Sequence, residues 1–213
     1  MTNEYERRPE AGGEIFNQPN AETPGSTEAL ARDGPRIYVA SLSDYNNGVL
    51  HGRWIEACSD AEAMQQEVDA MLRTSPTTAR WGEPAEEWAI HDYEGFGDLR
   101  LSEMDSLDYV ARIAGGIEKH GLAFAAWASE VNSDSEQMEQ FEERFQGEWE
   151  SVEAYAENLL DEMSAQRVID EAPEWLQPYL KLDVAGFARD LDAGGDITTA
   201  ETDDGRVWVW LGW

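Results

Sequence analysis

The chain has 213 residues, with 45 Asp and Glu against 15 Lys and Arg, and a formal net charge of −30 at pH 7. Nine tryptophans and a hydrophobic content of 41% can supply a folded core, which indicates an acidic surface and not a disordered chain. Such a polyanion repels nucleic acid and acidic membranes, and the single cysteine, Cys58, excludes an intrachain disulfide or a cysteine-based zinc site.

The N-terminal part of the chain predicts a polar extension followed by a small α+β domain. Residues 1–35 lack hydrophobic periodicity and predict a disordered extension, which leaves residues 36–95 for the domain. Strands are predicted at residues 37–42, 52–57 and 87–93, with turn residues at 44–48. A helix is predicted to start at Asp60, to carry Met64, Val68, Met71 and Leu72 on one face, and to end at Ser75-Pro76.

The middle of the chain, residues 96–132, predicts a compact helical domain. Ser102 with Asp105 is typical of a helix start, and apolar residues follow at helical spacing until Gly115-Gly116. Residues 122–131 predict a second, strongly apolar helix. The apolar run at residues 121–128 is far shorter than the ~18 residues of a membrane span, and the polar start lacks a signal peptide, so we expect a cytoplasmic protein.

The last part, residues 133–213, predicts an acidic α+β domain. One helix is expected to bury Met138, Phe141 and Phe145, and the next to bury Val152, Tyr155, Ala156, Leu159 and Met163. A further helix is expected near residues 182–191. A hairpin of residues 196–200 and 206–211, turned at Asp203-Asp204-Gly205, ends the chain. The whole predicts an α+β fold with three small domains in an elongated chain.

The acidic residues of the last part lie on one side of each predicted helix. Residues 130–174 hold 15 Asp and Glu against two Arg, a net charge of −13. Successive helical turns place a carboxylate about every 5.4 Å, which approaches the phosphate spacing of one DNA strand. The carboxylates predicted to stand in for phosphates are Glu136, Glu139, Glu143, Glu150, Glu153, Glu157 and Asp161.

The acid excess is also compatible with adaptation to high salt or with calcium binding. Adaptation to high salt would spread acid over all exposed surface, whatever the function. Calcium binding is suggested by residues 190–201, where positions 1, 3, 6, 8 and 12 match an EF-hand loop, but Gly194 at position 5 has no side-chain ligand. The alternative function is therefore an acidic calcium-binding or salt-adapted protein.

No other motif predicts chemistry. The histidines, His51, His91 and His120, have no metal-ligand spacing, and adjacent His91 and Asp92 on a strand would face opposite sides. We therefore expect no enzyme, no cofactor and no metal. The apolar C-terminal tryptophans Trp208, Trp210 and Trp213 are predicted either to form a dimer interface or to belong to the core.

Several long strings of the chain resemble one known family. These are IYVASLSDYNNGVLHGRWIEA at residues 37–57, EEWAIHDYEGFG at 86–97, GLAFAAWA at 121–128, FQGEWESVEAYAENLLDE at 145–162 and the aromatic C-terminal hairpin. The chain thereby resembles the ArdA family of antirestriction proteins over about residues 35–213, whereas the extension at residues 1–35 departs from the family pattern. Ordered strings of this length are far more specific than a short motif.

The resemblance implies a function for the acidic surface. ArdA-like proteins are DNA mimics that occupy the DNA-binding groove of Type I restriction-modification enzymes and so protect incoming mobile DNA. The family fold is an elongated three-domain α+β chain that forms a homodimer through its C-terminal domain. We therefore expect a non-enzymatic inhibitor whose partner is the restriction enzyme and which binds no nucleic acid or membrane.

Overall fold

A computed structural model of the protein describes residues 34–212. The predicted disordered extension falls almost wholly outside the described residues, and so does Trp213. The described part contains both helices and small antiparallel sheets, which confirms the α+β class.

The first sheet is built from three antiparallel strands in the order β2-β1-β3. The strands are β1 (Arg36–Ser41), β2 (Gly52–Glu56) and β3 (Trp88–Glu94). Ile37 pairs with Ile55, and Val39 pairs with Ile90, so alternate apolar side chains of the central strand face one core. The three predicted strands are confirmed.

Three helices accompany this sheet: α1 (Leu42–Asn46), α2 (Ala61–Leu72) and α3 (Pro76–Trp81). Asp60 caps α2 as predicted, because its side chain accepts a hydrogen bond from the Ala63 N–H at 3.0 Å. The prediction of a turn at residues 44–48 was wrong in part: the Ser41 hydroxyl caps a short helix that includes residues 44–46, and only Asn47 and Gly48 form a turn. Ser75-Pro76 follows the end of α2 and also starts α3, which the sequence did not predict.

The central helices are α4 (Leu107–His120) and α5 (Leu122–Glu130). Ser106 caps α4, so the predicted start at Ser102 with Asp105 was wrong by four residues. The predicted end of this helix at Gly115-Gly116 was also wrong. A Cβ at Gly116 would lie 2.1 Å from the Phe124 ring, so the missing side chain lets α5 fold back against α4.

The C-terminal part contains a second antiparallel sheet in the order β4-β6-β5 with helices around it. Its elements are α6 (Ser135–Glu139), α7 (Phe141–Arg144), β4 (Phe145–Trp149), α8 (Val152–Glu162), α9 (Gln166–Asp170), a 3-10 helix (Gln177–Tyr179), α10 (Val184–Gly194), β5 (Ile197–Glu201) and β6 (Val207–Leu211). The predicted hairpin is confirmed as β5 and β6. The helix predicted near residues 182–191 begins at Val184, after its cap Asp183.

One predicted helix of this part was wrong. The chain leaves helical geometry at Gln140 and again at Phe145, where β4 begins and pairs with β6. Gly147, at φ +104°, lies where the strand register shifts. Pairing with the apolar strand β6 therefore overrides the helical periodicity of residues 134–145.

Two hydrophobic clusters hold the described residues together. The larger extends from Ile37 and Val39 of β1 through Val110 and Trp127 of the central helices to Trp210 of β6. The smaller joins α8, α10 and the second sheet around Tyr155, Ala156, Leu191 and Val209. Because the larger cluster contains residues of all three predicted segments, the division into three domains stays a prediction.

Candidate functional site

The acidic side chains of the described residues lie almost entirely at the surface. Residues 34–212 contain 38 Asp and Glu against 12 Lys and Arg, a net charge of −26. Of these 38 acidic side chains, 36 are exposed, and the two others are the buried Asp44 and the half-buried Asp105. Only six accept a salt bridge from a described Lys or Arg, so most of the negative charge faces solvent.

This charge is concentrated in two stretches of chain. The first acidic block, residues 83–108, has nine Asp and Glu against one Arg, and the second acidic block, residues 130–162, has twelve against one. Their net charges are −8 and −11, whereas residues 34–82, 109–129, 163–182 and 183–212 carry −2, +1, −1 and −5. The sequence prediction found the second block and missed the first, whose carboxylates lie on β3, on its flanking loops and on the first turn of α4, and form no helical stripe.

Helix α8 presents a column of carboxylates within the second acidic block. Glu153, Glu157 and Asp161 are spaced four residues apart and are all exposed. Tyr155 and Ala156 on the other side are buried against α10 and the second sheet. Packing of this apolar face fixes the helix, which holds three negative charges about 6 Å apart along one face.

The carboxylates before β4 are arranged differently from the predicted stripe. Glu136 and Glu139 lie on α6 and Glu143 lies on α7, all of them exposed, but the two short helices are separated at Gln140. Glu150 precedes Ser151, the cap of α8, so its predicted place on that helix was wrong. None of the seven predicted carboxylates forms a salt bridge with another described residue.

Glu142 differs from its exposed neighbours because Lys119 and His120 at the end of α4 contact it. Lys119 Nζ donates a hydrogen bond to Glu142 Oε1, and His120 Nε2 lies 3.3 Å from the same oxygen. The hydrogen bond from Lys119, together with the positive charge of Lys119, lowers the pKa of Glu142. The His120 ring also contacts Phe141, at 4.6 Å between centroids. Glu142 therefore joins α7 to the central helices and is less available to a partner.

A small acidic cavity connects the first acidic block with the C-terminal hairpin. Asp98, Glu201 and Asp203 line it together with Leu122 and Trp208, around a volume of about 200 Å³. The exposed carboxylates of these two regions therefore belong to one continuous stretch of surface.

The buried carboxylate, Asp44, has a structural role. Its Oδ1 accepts a hydrogen bond from the Thr77 N–H at 2.8 Å and so joins α1 to α3. Burial alone would raise the pKa of Asp44, but the hydroxyls of Thr77, Ser41 and Ser75 and the Thr77 N–H outweigh it and lower the pKa to about 2. The sequence signal that could have identified it is Ser41 three residues before Asp44, a helix-start pattern.

The predicted dimer-interface tryptophans are placed differently from one another. Trp210 is completely buried and contacts Trp127 and Phe145, with ring centroids 5.7 and 5.8 Å away. Of the two predicted alternatives, Trp210 therefore belongs to the core. Trp208 is half-buried, and its Nε1 donates a hydrogen bond to Glu148 at 3.1 Å. Trp213 lies outside the described residues.

The residues that resemble a calcium loop do not form one. Asp190 and Asp192 lie on α10, and Asp196 precedes β5, which contains Glu201, so a strand stands where an EF-hand has its exit helix. Within residues 34–212, no three His, Cys, Asp or Glu side chains are grouped as metal ligands. The histidines considered in the sequence have structural contacts. The His91 ring contacts the Tyr45 ring, and His51 Nε2 lies 2.8 Å from the Met71 carbonyl oxygen.

The fold and the surface together define a class of protein: an acidic α+β protein that carries exposed carboxylates on packed elements. No helix of residues 34–212 combines the length and apolar character needed to cross a membrane. The sequence matches the family described as antirestriction protein (ArdA) over residues 37–204. The chain belongs to this ArdA family, and membership implies an antirestriction function. No individual curated protein matches the chain.

Proposed function

We propose that the protein inhibits Type I restriction-modification enzymes by occupying their DNA-binding groove as a DNA mimic. The observation that carries this proposal is the second acidic block, where exposed carboxylates lie on elements fixed by packing. A groove that binds DNA presents Lys and Arg to phosphates, and much of its affinity comes from the release of condensed counterions. Fixed carboxylates satisfy the same cations, and they offer neither a base edge to read nor a phosphodiester to cleave.

The uneven distribution of charge favours this function over salt adaptation. A salt-adapted surface would carry acid throughout, yet net charge varies from +1 over residues 109–129 to −11 over residues 130–162. Like charges four residues apart on a helix repel by a few tenths of a kcal/mol per pair. Glu153, Glu157 and Asp161 of α8 repel one another in this way, and a basic partner would remove the repulsion on binding.

The mechanism requires no catalysis, cofactor or metal. The proposed phosphate substitutes are Glu136, Glu139, Glu143, Glu150, Glu153, Glu157 and Asp161, and the first acidic block provides further exposed carboxylates. Each contact is exposed and screened, so the binding energy is distributed over many carboxylates. The proposed site of action is the cytoplasm, where the protein acts as a homodimer and protects incoming mobile DNA.

A phage-plating experiment tests the function in cells. Unmodified phage is plated on a strain with a Type I system that expresses the protein, and its plating efficiency is compared with that of modified phage. We expect expression to bring the two efficiencies close together. Equal restriction with and without the protein, at the same protein level, would contradict the proposal for that enzyme.

Two charge-matched variants test the acidic surface. One neutralises the α8 column as Glu153→Gln, Glu157→Gln and Asp161→Asn, and the other neutralises three exposed residues of α2 as Glu62→Gln, Glu67→Gln and Asp69→Asn. Both change the net charge by +3. We expect the affinity of the α8 variant for the restriction enzyme to fall about tenfold or more. The affinity of the α2 variant should stay close to that of the wild type. Equal losses in both would mean that only net charge matters.

A further inference from the structure

The first sheet has a core face and a second face, here named the open face, whose side chains form two rows across the strands. On the core face, Ile37, Val39 and Ile55 are buried in the larger hydrophobic cluster. The strand register assembles each row of the open face from one residue of β2, one of β1 and one of β3. The first row is Glu56, Arg36 and Glu94, and the second row is Trp54, Tyr38 and Asp92. All six residues are exposed or half-buried.

The open face already binds one guanidinium group, that of Arg36 in the first row. Arg36 Nε donates a hydrogen bond to Glu94 Oε2 at 2.7 Å, and Arg36 Nη2 lies 2.5 Å from the same oxygen. The guanidinium carbon lies 4.5 Å from the centre of the Trp54 ring, within the ~6 Å range of a cation–π contact. An aromatic ring and a carboxylate on this face are therefore spaced to bind an arginine.

The second row offers the same two kinds of group beside the first. The Tyr38 and Trp54 rings meet edge to face, with 5.6 Å between centroids and 64° between planes. Asp92 is exposed and pairs with Tyr38 across the strands. Its Oδ1 accepts a hydrogen bond from the Tyr93 N–H at 2.8 Å, and no Lys or Arg of residues 34–212 forms a salt bridge with it. Its carboxylate can therefore accept hydrogen bonds from a partner.

Gly52 of β2 fixes the position of the Tyr38 ring. A Cβ at Gly52 would lie 2.9 Å from Tyr38 Cζ and from its hydroxyl oxygen, and 2.4 Å from the Val39 carbonyl oxygen. The ring therefore lies close over the neighbouring strand, in space that a side chain at Gly52 would fill. A ring held in this way loses little conformational freedom when a ligand stacks on it.

The charge and the aromatic pair together indicate the chemistry of the partner. The open face carries three carboxylates and one guanidinium, a net charge of −2, so it attracts cations and repels phosphates. A planar guanidinium stacks on an aromatic ring and also donates paired hydrogen bonds to a carboxylate. The ammonium group of lysine is a compact, strongly hydrated charge that does neither as well.

We propose that the open face binds an arginine side chain of a partner protein, with Tyr38 and Trp54 as the stacking surface and Asp92 as the carboxylate. The inference deepens the proposed function, on which it rests, because it assigns to part of the first acidic block a preference for arginine over lysine. The α8 column, whose exposed groups are carboxylates, has no such stacking surface. A cation–π contact at an exposed site strengthens binding by about two- to fivefold.

Nuclear magnetic resonance of the full, isotope-labelled chain tests the inference without any restriction enzyme. Tetra-arginine and tetra-lysine peptides, which have equal side-chain charge, are titrated separately. The Trp54 indole N–H reports on the open face, and the Glu157 backbone N–H reports on α8. We expect tetra-arginine to bind the open face about two- to fivefold more tightly than tetra-lysine. At α8, the two affinities should agree within about twofold.

Substitutions in the second row identify the groups responsible. Trp54→Leu removes the stacking surface and should abolish the preference for tetra-arginine at the open face, read from the Asp92 backbone N–H. Asp92→Asn removes an exposed carboxylate and should weaken tetra-arginine binding there by about two- to fivefold. The control, Asp69→Asn on α2, makes the same change of charge at another exposed position and should have no effect there.

Three results would overturn the inference. The first is equal affinity of the two peptides for the open face of the wild type. The second is an Asp92→Asn variant that binds tetra-arginine as the wild type does, a test that holds even if Trp54→Leu fails to fold. The third is a single-stranded oligonucleotide that binds the open face more tightly than tetra-arginine, because the aromatic pair would then stack on bases.

Displacement of DNA from the restriction enzyme separates this inference from the proposed function. Asp92→Asn should require about two- to fivefold more protein for displacement than Asp69→Asn does. A wild type that displaces DNA, with no preference for tetra-arginine at the open face, would overturn the inference alone. A wild type that shows this preference but does not displace DNA would contradict the proposed function alone.

Discussion

Gly116 is the position where one added methyl group should disturb the packing of the central helices. A Cβ there would lie 2.1, 2.2 and 2.5 Å from three carbons of the Phe124 ring, where carbon atoms normally approach to about 3.5–4.0 Å. The ring has little room to move, because it is almost fully buried and contacts Phe141 at 5.4 Å and His120 at 6.1 Å between centroids. Gly116→Ala must therefore displace Phe124 or separate α4 from α5.

The size of the effect follows from two opposing contributions. Alanine in a helix interior is favoured over glycine by about 1 kcal/mol, whereas overpacking a core costs about 1–3 kcal/mol and more when the neighbours are fixed. Since the overlap at Gly116 exceeds about 1 Å at three atoms, we expect the overpacking cost to dominate. Gly116→Ala should lower the free energy of unfolding by about 1–2 kcal/mol.

The neighbouring Gly115 provides the matched control in the same helix. A Cβ at Gly115 would lie 3.0 Å from Cβ of Ser59, an exposed residue that can shift slightly. Gly115→Ala should therefore be neutral or stabilise by up to about 1 kcal/mol. Urea unfolding followed by tryptophan fluorescence measures both variants. A Gly116→Ala protein as stable as the wild type, or more stable than Gly115→Ala, would refute this account of the packing.

Three further predictions concern a buried carboxylate, a buried tryptophan and a single surface charge. Asp44 has a pKa of about 2 in the folded chain against about 4 when unfolded, so its stabilisation of about 2 kcal/mol is present above pH 4 and is lost as pH falls toward 2. Asp44→Asn should remove this advantage at pH 7, and urea unfolding of both proteins should converge at low pH; a constant difference would contradict the assignment. Trp210→Ala should cost about 3–5 kcal/mol in urea unfolding because the side chain is fully buried, and a loss smaller than about 1 kcal/mol would mean that it is not core. Glu157→Gln alone should weaken DNA displacement by less than about fivefold, since one exposed ion pair contributes ~0–1 kcal/mol, and a complete loss in a folded variant would disprove distributed contacts.

The parts of the fold that the sequence predicted are those set by local patterns. The three strands of the first sheet and the C-terminal hairpin are short runs rich in β-branched and aromatic residues. Asp60 starts α2 because a short acidic side chain before an apolar helical pattern is a strong cap.

The errors have a common cause in tertiary contacts. Gly115-Gly116 is a helix-breaking pair in the sequence, yet α4 continues through it because Phe124, a residue of the next helix, needs the space. Phe145 fits a helical stripe, but it begins a strand because β6, far along the chain, is available to pair with it. Neither partner can be recognised from the local sequence.

The candidate site was predictable in composition and only partly in arrangement. The acid load on α8 follows from four-residue spacing, so the sequence alone places Glu153, Glu157 and Asp161 on one helix face. The first acidic block has no such periodicity and was missed. Met163 was predicted to face inward, but α8 ends at Glu162 and Met163 is exposed.

Competition with DNA tests the central claim most directly. A fluorescent duplex bound to a purified Type I restriction-modification enzyme is titrated with the protein at several salt concentrations, beside a disordered polyglutamate of equal charge. The account predicts displacement at near-stoichiometric protein, far below the polyglutamate concentration that has the same effect, because fixed carboxylates lose less conformational entropy on binding. No displacement, or displacement equal to that by polyglutamate, would contradict DNA mimicry by this surface.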